Sequence, residues 1–143
     1  MRPFQICLFL VTFLALCVGC ASTPTDERSH AVVQINNMKL APEVVEVSGS
    51  ENTIAWTNWT RSTATVQFPA SIASAFNCDE LRPRFVLSGD RIESVSVLGD
   101  SESLTTPCSL KPGSYDYEVW LSERPSDREN PHLKIKGRIE VGE

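Results

Sequence analysis

The stretch from Pro112 to Val141 constrains the fold more than any other part of the chain. A Pro-Gly pair at Pro112–Gly113 opens it. Tyr115, Tyr117 and Val119 then alternate with Asp116, Glu118 and Trp120, the period-2 pattern of a strand with one face in a core. Beyond a polar stretch, Leu133, Ile135, Gly137, Ile139 and Val141 alternate with Lys134, Lys136, Arg138 and Glu140. Two such strands must cover one apolar face with a second layer, and their continuous alternation fits a sandwich.

The preceding chain repeats the pattern in shorter pieces. Val33 with Ile35, Val45 with Val47, Ile54 with Trp56, and Ala64 with Val66 and Phe68 each read as a strand. Lys39 to Pro42 breaks the first strand, and turn residues follow at Gly49–Ser50 and Asn58 to Ser62. Ser71 to Phe76 predicts a short helix. Phe85 to Gly89, a strand through Ile92, Val95 and Val97, and a return from Leu104 to Leu110 complete the series. Regular punctuation of short strands predicts an all-β sandwich with one short helix over 31–143, with no internal repeat and no second domain.

The first thirty residues read differently. Arg2 precedes an apolar run, Ile6 to Leu16, that is too short to favour a stable membrane span. It ends in Cys17-Val18-Gly19-Cys20, which resembles a bacterial lipoprotein signal although Cys17 stands where Leu is usual. The resemblance implies a signal peptide over 1–19, lipidation of Cys20, and a polar tether over 20–30 that ends in His30. An ordinary secretory peptide cut nearby is the alternative. Ala21 in place of Asp implies the outer membrane, with the domain facing the periplasm and the acyl chains holding the membrane.

Arg2 is the one charge ahead of Cys20, so removing the signal takes the net charge from −5 to −6. That balance argues against a nucleic-acid partner. Of the five cysteines, Cys78 and Cys108 alone lie in the domain, and an even pair in an exported protein reads as a disulfide. A thiol metal site or a redox pair is the alternative, and no CxxC spacing favours the second.

The C-terminal pattern resembles the cupredoxins, small blue-copper proteins such as plastocyanin and amicyanin. The motifs that carry the likeness are Tyr115-Asp116-Tyr117, Pro131-His132 and Gly137. Leu40-Ala41-Pro42 through Gly49 to Trp56-Thr57-Asn58 adds a second stretch, and Phe85 to Gly89 a third. The resemblance implies a Greek-key β-sandwich. Residue by residue, it sets Ala64 (or Thr63, with a slip of one) at the first copper imidazole, Val119 at the thiolate, His132 at the second imidazole and Ile135 at the thioether. A type 1 copper centre needs two imidazoles and a thiolate with a weak axial sulfur. Only His132 is a donor.

The expected function is therefore that of a membrane-anchored periplasmic binding or structural module without type 1 copper and with no cofactor. An envelope protein is its expected partner. The alternative is copper handling at a nonstandard site around His132, with a second donor such as His30, Met38 or a free Cys. No nucleophile elbow, HExxH, phosphate loop or dinucleotide turn points to an enzyme. The connection from Trp120 to Pro131 carries two prolines and five charges. It reads as a solvated loop or as a recognition loop, and Trp59 and Trp120 would serve the second as an exposed aromatic pair.

Overall fold

A computed structural model describes residues 29–96 and 98–143. The signal segment, Cys20 and most of the tether lie outside the described residues.

Among the described residues ten strands form two sheets. They are β1 (Ser29–Asn36), β2 (Lys39–Ala41), β3 (Val44–Ser48), β4 (Asn52–Asn58), β5 (Thr63–Pro69), β6 (Phe85–Ser88), β7 (Arg91–Ser94), β8 (Ser103–Thr105), β9 (Gly113–Ser122) and β10 (Leu133–Gly142). One sheet has the order β2-β1-β4-β8, the other β3-β10-β9-β5-β7-β6. β1 runs parallel to β4 and β3 parallel to β10, while the remaining pairs are antiparallel. The predicted short helix is a 3-10 helix, Ala70–Ala75. β1 begins at Ser29, so His30 belongs to a strand and pairs with Thr53 instead of ending a tether.

The pleat explains which side chains are inside. Tyr117, Val119 and Leu121 of β9 and Ile135, Gly137, Ile139 and Val141 of β10 are buried toward the other sheet. Ala64, Val66 and Phe68 of β5 join them, as do Val33 and Ile35 of β1 and Ile54 and Trp56 of β4. Trp56, Phe68 and Tyr117 meet at ring separations of 5.5 to 5.9 Å, and Phe68 also meets Phe76 at 5.6 Å. All but the tilted Phe68–Tyr117 contact are edge-to-face, and such pairs add about 0.5–1.5 kcal/mol each beyond the area buried.

Two positions show how tightly the interior is set. Tyr117 lies across Gly137, where a Cβ would meet the tyrosine ring at 2.5 Å and Leu40 at 2.7 Å. Glycine is required there by the neighbouring ring, because its missing side chain is the space the ring fills. At the start of β9, Gly113 has φ +154 and the Tyr115 hydroxyl would stand 2.8 Å from a Cβ. That hydroxyl donates to the Lys111 carbonyl at 2.8 Å and fixes the approach to the strand.

The strand predicted through Ile92, Val95 and Val97 stops early. β7 ends at Ser94, whose hydroxyl accepts from the Val66 N–H at 3.1 Å. Continuing the β5–β7 register would bring Ser96 opposite Ala64. The chain bulges instead, and Leu98 takes that place through reciprocal backbone bonds of 2.8 and 2.9 Å.

Cys78 and Cys108 form the expected disulfide, with Cα atoms 5.9 Å apart and a sequence separation of 30. It stands beside the isolated bridge of Phe76 with Leu110. The clip ties the long β5–β6 connection to the approach to β9.

The register gives the sandwich two distinct ends. β1 starts at one, level with Asn52; it is called the tether end after the tether expected from the sequence. The β4–β5 turn and the β9–β10 connection lie at the other, because Thr63 pairs with Ser122 and Leu133 with Leu121.

Candidate functional site

Three of the four residues aligned with copper ligands, Ala64, Val119 and Ile135, are inward-facing neighbours on three adjacent strands. Val119 pairs with Ile135 on one side and with Val66 on the other. Ala64 pairs with Leu121 one pleat further on. Ala64 and Val119 are 0% exposed and Ile135 is 8% exposed. A methyl, an isopropyl and a sec-butyl group there make ordinary dispersion contacts and carry no lone pair for a metal. The slip to Thr63 does not restore a donor, since its hydroxyl donates to the Ser122 carbonyl at 3.0 Å.

His132 is exposed at the start of β10, and its backbone N–H bonds the Leu121 carbonyl at 2.9 Å. His30 is at the tether end, so the two imidazoles stand at opposite ends of the sandwich and cannot share an ion. Both domain cysteines are in the disulfide, which removes a free thiol as a donor. Met38, at the β1–β2 turn, is 82% exposed. Among the described residues no group of three or more His, Cys, Asp or Glu side chains could hold a metal ion. The residues present do not fit a type 1 copper centre.

The two tryptophans proposed as a pair are placed differently. Trp59 is 55% exposed in the β4–β5 turn. Asn58 fixes that turn: its side-chain oxygen accepts from the Thr60 N–H at 2.9 Å and the Thr60 hydroxyl at 2.8 Å, and its nitrogen donates to the Ser62 carbonyl at 2.7 Å. Trp120 is only 5% exposed, so no exposed pair forms. The pleat puts it on the outer face of the six-stranded sheet, as the alternation required, but that face is not bare. The Arg91 guanidinium lies 4.4 Å from the Trp120 ring centroid and the Lys134 ammonium 3.9 Å from it. These cations reach it from opposite sides of β9, from β7 and β10. The indole N–H donates to Glu118 at 2.8 Å.

The β9–β10 connection supplies the remaining cover. β9 extends to Ser122, so the connection is 123–132, shorter at its start than the sequence suggested. It carries a 3-10 turn, Pro125–Asp127, and folds back along the sheet. Arg128 pairs with Glu93 at 2.9 Å and donates to the Ser94 carbonyl at 3.3 Å. Glu129 pairs with Arg91 at 3.2 Å, and the Ser122 hydroxyl donates to the Asp127 carbonyl at 3.1 Å. Thr65, Gln67, Glu93 and Ser122 are buried on this outer face along with Trp120. Toward the tether end the same face opens into a groove of about 690 Å³ whose floor includes Gln67 and Glu118.

Sequence reasoning missed Glu93, Arg128, Arg91 and Lys134 as a connected group. They are distant in sequence, and no local pattern signals such pairing. The one hint was the dense mixture of both charge signs in the connection.

A scan against protein-family models gives no match, and a search of curated proteins gives none. Among solved structures, the chain is similar to the reduced Cu(I) form at pH 4 of a proline-to-glycine mutant of amicyanin. The TM-score is 0.50 at 18% identity, covering 78% of this chain and 81% of that one. It is also similar to an oxidized methionine-to-lysine mutant of amicyanin, with TM-score 0.50 at 17% identity, covering 82% of this chain and 94% of that one. At these identities the likeness is one of fold. The chain has a cupredoxin-like fold.

Proposed function

We propose that this cupredoxin-like sandwich is a binding or structural module that works without type 1 copper, held on the periplasmic side of a bacterial membrane by a lipidated Cys20. The observation that carries the first part is the apolar packing of Ala64, Val119 and Ile135, which the sequence resemblance sets at the copper-donor positions. Filling those positions with core side chains also avoids burying polar donors without a partner. The anchoring rests on the sequence alone, on the apolar run that ends at Cys20. Trp59 supports a protein partner at the end opposite the tether, since a half-exposed indole on a hydrogen-bonded turn is a rigid anchor.

The reading is tested by titrating the mature chain with Cu(II) and following visible absorption and calorimetry. It predicts no intense charge-transfer band and no stoichiometric site. A single tight copper with intense colour would overturn it. Binding without colour that disappears in His132→Ala would favour copper handling at the exposed imidazole instead.

A further inference from the structure

The β9–β10 connection is attached to the outer face by polar contacts. None of its side chains is buried in the core, and its 3-10 turn buries no residue. The face beneath does not depend on it for apolar cover, because Arg91 and Lys134, which bracket Trp120, belong to strands. The other side chains it covers are polar and can take water in its place. What the connection does supply is one guanidinium in a formed seat: the Glu93 carboxylate at 2.9 Å and the Ser94 carbonyl at 3.3 Å.

That seat continues into the groove. The groove sets the carboxylates of Glu43, Asp90, Asp116 and Glu118 against the cations Arg91, Lys136 and Arg138. Asp116 and Arg138 neutralise each other at 2.7 Å. With Arg128 withdrawn, Glu93 would join the acids and the excess of negative charge would grow. Gln67 lines the groove, is 4% exposed, and leaves its side-chain oxygen without a partner among the described residues. Buried acceptors of this kind are satisfied when a donor-bearing ligand arrives.

We propose that this face is a docking site for an extended, arginine-bearing segment of a partner protein, and that the chain's own connection occupies it as an intramolecular stand-in. A partner arginine would replace Arg128 on Glu93, with the segment running on into the groove toward Gln67. Both contacts run from one guanidinium nitrogen, Nη2 of Arg128, and the charge-assisted one to Glu93 is the stronger. This names the partner's chemistry and rests on the binding-module reading for its purpose, but the copper titration and the experiment below fail independently.

The test uses the full chain in detergent and a fluorescent synthetic peptide with the sequence of residues 122–132, read by anisotropy. The Arg128→Ala chain should bind this peptide roughly ten-fold or more tightly than the unaltered chain does, because the seat is empty. The same peptide with alanine in place of Arg128 should bind neither, and adding Glu93→Gln should abolish binding. If Arg128→Ala does not fold, replacing 124–130 with glycine and serine uncovers the same seat. Equal binding of the arginine and alanine peptides overturns the proposal. So does concentration-dependent dimerisation of Arg128→Ala without peptide binding, which would make a second copy the occupant.

Discussion

Gly137 and Tyr117 show how one residue's absence and another's bulk form a single unit. The tyrosine ring occupies the volume a side chain at 137 would need. Gly137→Val should therefore destabilise the domain by about 1–3 kcal/mol through overpacking, measured as a lower urea midpoint with an unchanged slope. The Tyr117 hydroxyl and the Trp56 indole N–H are both buried without a hydrogen-bond partner among the described residues. Burial pushes the Tyr117 pKa up to about 12, with the neighbouring indole acting in the opposite direction. A folded-state value above the unfolded one of 10.0 means that the native state holds its proton more tightly. Stability from this group is intact below pH 10 and falls as pH rises toward about 12. Tyr117→Phe should flatten that fall, which urea titrations at a series of alkaline pH values would show.

At the scale of elements, the alternation in β4, β5, β9 and β10 was legible because each strand has one face in the core and one outside. It even placed Trp120 correctly, on the outer face. It did not reveal that the outer face is covered, because the cover is polar and its partners, Glu93 with Arg128 and Arg91 with Glu129, are far apart in the chain. The early end of β7 was illegible for a related reason: Ser94 trades a ladder bond for a side-chain bond to Val66, and a hydrophobic pattern does not register that exchange. The resemblance sets Ala64, Val119 and Ile135 at copper-donor positions from motifs alone, and the structure adds that all three are buried. The different settings of the three tryptophans give an element-level prediction. Iodide should quench only the Trp59 share of the fluorescence, because Trp56 and Trp120 are covered. Trp59→Phe should leave an emission that iodide barely touches, and substantial residual quenching would contradict the covered outer face. The disulfide is the other long-range element. Cys78→Ser with Cys108→Ser opens a loop with a sequence separation of 30 and should cost roughly 3–4 kcal/mol in unfolding free energy.

At the scale of the whole molecule, the fold sets the N-terminal entry of the domain and Trp59 at opposite ends. With Cys20 lipidated as proposed, the residues between it and Ser29, fully extended, would reach about 30 Å, enough to hold the domain clear of a membrane surface. Cys20→Ser should move the protein from the membrane to the soluble envelope fraction, as read by fractionation and immunoblotting. The central claim, that a cupredoxin-like fold here works with its copper positions filled by core, is tested most directly on protein isolated from the cell envelope without added metal. Its visible absorption spectrum and copper content should be taken together. The account predicts no intense visible band and copper well below one ion per chain. One copper per chain with an intense charge-transfer band would contradict it.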